Sequence, residues 1–316
     1  PGDGIGHEVT PLCLDILTIL SEKVGGFSFD FASFEAGAVH YKNTGVSLPE
    51  EALNHAFASD ATLLACMGMP SIRYPDGREI APQLELREKM DLFAGVRPVK
   101  TMPGLPLPLT SEKAQNLDFV LIRESTEGLF ASRENFKIEG EGADEAAYDT
   151  QKISRKGCER LFDFAFSLGR ERKEEGYKGL VTCVDKANVL GSFYYMRQIF
   201  DEIAAKNTDI DHNHVYVDAA ALQLVGRPWE FDVIVTENMY GDILSDLGAG
   251  LMGGMGMAPS ADIGVSKAVF QPCHGTAPDI IGEGKANPTA MYLSAAMMLR
   301  WLGNSHNNDK AVEAAK

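Results

Sequence analysis

The sequence predicts an α/β fold whose sheet is largely parallel in at least part of the chain. Three observations carry this. Short apolar runs alternate with segments of helical periodicity. A length of 316 residues is long for one compact core, which makes two domains the expectation. A Pro-rich and a Gly-rich interruption bracket the α/β middle.

The elements follow in chain order. After Gly2-Asp3-Gly4-Ile5-Gly6, the apolar positions Val9, Leu12, Cys13, Ile16, Leu17 and Leu20 keep the i, i+3, i+4, i+7 rule and predict a helix. Phe27, Phe29 and Phe31 alternate with polar neighbours and read as a strand. Further strands are expected in the apolar runs 61–66, 119–122, 180–184, 215–217 and 233–235. Helical patterns lie between several of them, over 154–175, 188–205 and 238–252. A last helix, 288–302, has Pro288 near its first turn and places Leu293, Met297 and Trp301 on one face. The interruptions fall at 97–108 and 248–256. Composition alone leaves open whether they mark a domain that another interrupts and the C-terminal part completes. No internal repeat or low-complexity tract is present.

Composition excludes several functions. The chain is 45% hydrophobic and 23% charged, as in ordinary globular proteins. No run of 18 or more apolar residues exists to form a membrane span, and a cationic, apolar signal segment is absent. The sequence starts at Pro1 rather than at a methionine, so further N-terminal residues are expected and the cytoplasm is the default location. Lys plus Arg number 29 against 45 Asp plus Glu, a net charge of −16 that repels phosphate backbones and argues against a nucleic-acid partner. The five cysteines are odd in number, widely spaced and without a Cys-x-x-Cys pair, as expected of reduced core thiols.

Four constellations carry chemistry. In Asn238-Met-Tyr-Gly-Asp242-Ile-Leu-Ser-Asp246 two aspartates stand four apart on one helical face, an arrangement that suits either Mg²⁺ or Mn²⁺, or a solvated surface. Arg87 and Arg97 flank an apolar segment and Arg123 ends the run 119–122. Each could grip a carboxylate bidentately or make a surface ion pair. Val184-Asp185-Lys186-Ala-Asn188 follows an expected strand, where a lysine can act as a general base. Alone this is a weak signal, as is Asp218 after 215–217. His274-Gly-Thr-Ala-Pro-Asp279, followed by Gly282-Glu-Gly284 and Asn287-Pro288, offers backbone approach to a ligand and a carboxylate for ribose hydroxyls. The third glycine of Gly2-Asp-Gly-Ile-Gly6 is one residue early for a Rossmann fingerprint, so that segment reads as a tight turn.

Together these motifs resemble the β-decarboxylating dehydrogenase family of isopropylmalate, isocitrate, homoisocitrate and tartrate/D-malate dehydrogenases. The N-terminal Pro-Gly-Asp-Gly-Ile-Gly-x-Glu-Val, Asp91-Leu-Phe-Ala-Gly-Val-Arg97-Pro, Arg123-Glu-Ser-Thr-Glu-Gly128 and the later motifs keep family order from residue 1 to about 302. The resemblance implies two α/β domains with a cleft between, not a Rossmann dinucleotide fold. Residues 1–93 and 253–316 would form a large discontinuous cofactor-binding domain, and 94–252 a smaller one with the metal ligands and dimer contacts. It implies a homodimer with shared active sites and a chain that continues past Lys316. By the same resemblance Arg87, Arg97 and Arg123 bind substrate carboxylates, and Lys186 and Asp218, both contributed by the other subunit, are catalytic. Asp242 and Asp246 of one subunit, with Asp218 of the other, hold Mg or Mn. His274, Gly275, Ala277, Asp279 and Asn287 contact NAD.

The implied reaction is oxidative decarboxylation of a (2R)-malate-type acid. Asp279 followed by Ile280 resembles the NAD-specific members, since a carboxylate accepts from ribose hydroxyls and repels a 2′-phosphate. Ala81 stands where isocitrate enzymes usually have serine, and Gln83-Leu84 where isopropylmalate enzymes usually have two leucines. The ranking is therefore isopropylmalate, then tartrate or D-malate, then isocitrate. A catalytically silent regulatory subunit is the non-enzyme alternative, disfavoured by the intact charged residues. Phe130 departs from the family, which usually has a tyrosine acid here; Tyr148 is a candidate replacement donor.

Overall fold

The computed structural model describes residues 1–133 and 135–316, and the chain separates into two compact units: Pro1–Leu92 with Gly254–Lys316, and Phe93–Gly253. The first unit is completed by the C-terminal part of the chain.

In the first unit, Thr62–Leu63 pairs parallel with Ala268–Pro272, which pairs antiparallel with Pro259–Ile263. The helix Thr289–Ser305 packs on the two longer strands and on the helix Gly6–Val24. Its buried positions are Ala290, Met291, Ser294, Ala295, Met298, Leu299 and Gly303. The expected Leu293, Met297 and Trp301 are only half-buried, on the flank of that face. Small residues take the centre because they let the helix approach the strands, and the Ser260 amide donates to Ser294 Oγ at 3.3 Å. Gly6–Val24 likewise buries a narrow seam, Val9, Cys13 and Leu17, and leaves Leu12 and Ile16 exposed.

The segment Phe27 to Phe31 forms no strand. Alternation supplies a face, but a ladder needs a partner. Here the rings pack on each other instead, Phe27 edge-on to Phe29 and Phe29 stacked on Phe31 at 5.1 Å.

The N-terminal glycine motif is a tight turn, as read. Asp3 is fully buried, and its carboxylate accepts from the amides of Ala38 (2.7 Å), Val39 (2.9 Å) and Gly68 (2.9 Å). Gly4 has φ +57°, and a Cβ there would sit 2.3 Å from the Thr276 carbonyl oxygen. Only glycine permits that approach.

In the second unit the strand order is Ala94–Lys100, Asp118–Glu124, Val233–Thr236, Leu180–Asp185, Asp211–Tyr216. The first pairing is antiparallel and the other three are parallel. Arg97-Pro98 does not interrupt the chain, because Pro98 sits within a strand opposite Val120. The run 215–217 is also corrected: the strand ends at Tyr216 and Val217 opens the helix Val217–Gly226, with Asp218 in its first turn. An acidic side chain is favourable there, at the positive end of the helix dipole.

The helix Arg155–Glu174 shows how sequence sets an element. Ser154 caps it by accepting from the Gly157 amide at 3.0 Å. Cys158, Leu161, Phe162, Ala165 and Phe166 form its buried face, and Phe162 and Phe166 pack against Phe200 of the helix Gly191–Ala204. The helix Asn238–Leu251 is capped by Glu237, which accepts from the amides of Met239 (3.1 Å) and Tyr240 (3.3 Å). A two-stranded hairpin, Lys137–Glu139 with Ala146–Tyr148, carries exposed Ile138 and Tyr148. No helix among the described residues is long and apolar enough to cross a membrane.

Candidate active site

In the Phe93–Gly253 unit, buried strands deliver the arginines. Arg97 lies in Ala94–Lys100 and Arg123 in Asp118–Glu124, and both are buried. Arg123 donates from Nε (2.9 Å) and Nη2 (2.7 Å) to Asn238 Oδ1. Its Nη1 makes a close ion pair with Asp242. Gly241 makes this possible, since a Cβ there would lie 2.7 Å from the Arg123 side chain. The guanidinium also lies over the Phe130 ring, 5.2 Å from its centroid.

Asp242 and Asp246 share one face of Asn238–Leu251, four residues apart. Burial and the neighbouring Asp242 charge push the Asp246 carboxyl above its ordinary range, against the pull of Arg123 and Arg97. Two carboxylates side by side, that of Asp242 still half-exposed, form a donor set suited to a hard divalent cation.

Lys186 follows the strand Leu180–Asp185, and its Nζ donates to Asp218 Oδ1 at 2.7 Å. That bond from Lys186 holds the Asp218 carboxyl below the usual carboxylate range. Lys186 and Asp218 thus meet, as do Arg123 and Asp242. The three aspartates do not gather as one ligand set within a single chain: among the described residues the only group of three with metal-ligand spacing is Cys183, Asp185 and His214.

In the other unit, Arg87 is buried on the helix Pro82–Lys89, and its Nε donates to Asp262 Oδ2 at 3.0 Å. Gln83, one turn earlier, has a buried Oε1 without a hydrogen-bond partner. The segment His274 to Asp279 is seated on the glycine turn: the Ile5 amide donates to the Thr276 carbonyl at 3.1 Å, and Thr276 Oγ1 to the Gly68 carbonyl at 2.7 Å. Ala277 has a left-handed backbone, φ 41°, which costs an L-residue roughly 1–2 kcal/mol. His274 Nε2 is buried without a partner, and burial pushes the imidazole below its ordinary range. With Nδ1 donating to the Gly275 carbonyl at 3.0 Å, Nε2 of the neutral ring is an acceptor and fits an uncharged donor such as a ribose hydroxyl or an amide N–H. Gly275 and Asp279 are exposed. Asn287 Oδ1 accepts from the Thr289 amide (3.1 Å) and hydroxyl (2.7 Å), fixing the start of the last long helix.

Sequence reading missed the residues that hold these groups. Asn238, Asp262 and Arg197 never touch the expected chemistry themselves. Arg197 grips Asp185, one residue before Lys186, with Nε and Nη2 at 2.8 and 2.7 Å. The one available signal was a charged residue inside a buried apolar run, as Asp262 is in Pro259–Ile263.

Comparison with known proteins places the chain. Residues 1–316 match the family described as isocitrate/isopropylmalate dehydrogenase. A 3-isopropylmalate/3-methylmalate dehydrogenase from Methanocaldococcus jannaschii is 42% identical over 99% of this chain and 87% of that protein. A 3-isopropylmalate dehydrogenase from Moorella thermoacetica is 40% identical over 100% of this chain and 87% of its own length. Among solved structures, an isocitrate dehydrogenase from Methylococcus capsulatus superposes with a TM-score of 0.84 at 34% identity, covering 98% of this chain and 86% of that one.

Proposed function

Because this chain belongs to the isocitrate/isopropylmalate dehydrogenase family, an oxidoreductase family, we propose that it is an NAD- and divalent-metal-dependent enzyme. Its reaction is the oxidative decarboxylation of a (2R)-malate-type acid, with 3-isopropylmalate the first choice. The observation that carries this reading is the buried Arg123 fixed beside the Asp242/Asp246 pair. That arrangement juxtaposes a carboxylate binder with carboxylates suited to a cation.

Arg87, Arg97 and Arg123 hold the substrate carboxylates. Lys186, which comes with Asp218 from a second copy, takes the proton of the 2-hydroxyl. Asp242 and Asp246, with Asp218 from a second copy, hold Mg²⁺ or Mn²⁺. His274, Gly275, Ala277, Asp279 and Asn287 seat NAD. When bound, the cation supplies Lewis acidity toward the substrate oxygens and NAD the hydride acceptor. Hydride leaves C2 for NAD, the resulting β-keto acid loses its C3 carboxylate as CO₂, and C3 takes a proton in its place.

The second copy is argued from exposed apolar side chains beside these carboxylates. Leu222 and Val225 on Val217–Gly226, and Ile243 on Asn238–Leu251, are 74%, 52% and 61% exposed. Patches of this kind mark interfaces, and a homodimer would cover them. All five cysteines are free, four of them buried, which suits the reducing cytoplasm.

Substrate choice rests on Ala81, Gln83 and Leu84, all half-buried around the helix that carries Arg87. The names of the relatives favour isopropylmalate. The unpartnered Oε1 of Gln83, an acceptor for a hydroxyl, is the observation that keeps tartrate, with its 3-hydroxyl, as the second reading. Steady-state kcat/KM on 3-isopropylmalate, tartrate, D-malate and isocitrate, with NAD and Mn²⁺, tests the ranking. Isopropylmalate is expected to lead, and isocitrate leading tenfold would overturn it.

A further inference from the structure

The strands Leu180–Asp185 and Asp211–Tyr216 run parallel with Cys183 opposite His214. Cys183 Sγ, a carboxylate oxygen of Asp185 and a ring nitrogen of His214 all lie within 4.8 Å of one another. Cys183 and Asp185 are fully buried and His214 half-buried. None of the three belongs to the proposed reaction.

His214 carries a carboxylate on one ring nitrogen, as metal-ligating histidines do. Its Nε2 faces Asp201 Oδ1 at 2.7 Å, so that nitrogen carries the proton. Nδ1 is left with a free lone pair, buried and without a hydrogen-bond partner. A carboxylate on the far nitrogen fixes this tautomer and strengthens the near one as a ligand. Asp185 retains capacity as well. Its Oδ1 accepts from the Ala187 amide (2.9 Å) and Arg197 Nη2 (2.7 Å), and its Oδ2 only from Arg197 Nε (2.8 Å). A carboxylate has about four lone-pair positions, so one on Oδ2 stays open.

We infer that Cys183, Asp185 and His214 form a binding site for a zinc-class ion, separate from the oxygen site of the dehydrogenase. Thiolate with imidazole selects zinc over magnesium. Charge also balances: a divalent ion, the Cys183 thiolate, Asp185, Arg197 and Asp201 sum to zero. Zinc–ligand bonds of about 2.0–2.3 Å need the three donors to close by on the order of 1 Å, a small movement for two paired strands. Burial pushes the Cys183 thiol well above its ordinary range, so the sulfur ionises only as the metal arrives and releases one proton. The ion would brace two strands whose ends lead into Lys186 and into the helix bearing Asp218.

Cobalt(II) is the probe, because thiolate ligation gives it a charge-transfer band that an all-oxygen site cannot produce. The full chain titrated with Co²⁺ should develop this band with one equivalent. Cys183→Ala and His214→Gln should each abolish it, while Cys158→Ala keeps it. Zinc should raise Tm by roughly 3–6 °C at saturation, and the same two variants should lose that part of the shift. If Cys183→Ala does not fold, His214→Gln, at a less buried position, decides alone. A wild type without the band, or a band that survives both substitutions, overturns the inference. The result is independent of which acid the enzyme oxidises.

Discussion

The charged groups of the Phe93–Gly253 unit and the 274–287 segment of the other unit are held in different ways. Arg123, Asp242, Lys186 and Asp218 sit at strand ends and in helical turns, and each is bonded to another charged side chain. The segment from His274 to Asn287 is held by neutral groups, Thr276 through its carbonyl and hydroxyl on the glycine turn and Asn287 through its side-chain oxygen at the helix start, while His274 keeps one open ring nitrogen and Asp279 is exposed. The first arrangement fixes each charge against an opposite one. The second leaves polar atoms open for a ligand to satisfy. Substitutions should therefore cost rate in the first region and shift cofactor preference in the second.

The largest effect is expected from the ionic set. Lys186→Met and Asp242→Asn should each lower kcat by about 10²–10⁴-fold, the usual worth of a general base or a positioned charge. Because these residues are proposed to come from different copies, mixing the two inactive variants under exchange conditions should restore about a quarter of wild-type activity. Half the dimers are then mixed, and each mixed dimer has one intact site. No recovery on mixing would place both residues in one subunit's site.

Cofactor preference comes next. NAD should exceed NADP at least tenfold in kcat/KM, and Asp279→Ser should shrink that gap mainly through KM. Equal use of both cofactors by the wild type would remove Asp279 from its role.

Phe130 allows a finer test. Its ring packs under Arg123 but has no proton to give. Decarboxylation of the isolated keto acid should be slow, and Phe130→Tyr should accelerate it several-fold. A wild type that processes keto acid faster than it oxidises the hydroxy acid, with no gain in the variant, would show that another group donates.

How much of this was legible in the sequence differs by scale. Helical boundaries at Arg155–Glu174 and Asn238–Leu251 followed from periodicity because a local cap and an apolar face agree there. Phe27–Phe29–Phe31 misled because alternation says nothing about a partner strand. Leu12 and Ile16 misled because periodicity gives a face but not the width of the seam. The site's charged residues were visible as motifs. Their supports were not: Asn238, Asp262 and Arg197 act across separations of 115, 175 and 12 residues, and no local pattern encodes such contacts.

The smallest effect concerns stability. Burial raises the Glu237 carboxyl above its ordinary value of 4.5, against the pull of the Met239, Tyr240 and Leu129 amides. Ionisation at neutral pH therefore costs the folded state. Glu237→Gln keeps an oxygen for the Met239 and Tyr240 amides and should raise Tm by a few degrees at pH 8. Below the ordinary value the acid is neutral in both folded and unfolded chains, so the gain should vanish near pH 4. A gain unchanged with pH would mean that charge is not its cause.

The most direct test of the central claim is the stoichiometry of NADH and CO₂ formed from 3-isopropylmalate in Mn²⁺, and again after EDTA. The account predicts one CO₂ per NADH at completion, with turnover abolished by EDTA and restored by added Mn²⁺ or Mg²⁺. Undiminished turnover in metal-free buffer, or no NADH from 3-isopropylmalate, tartrate, D-malate or isocitrate, would contradict it.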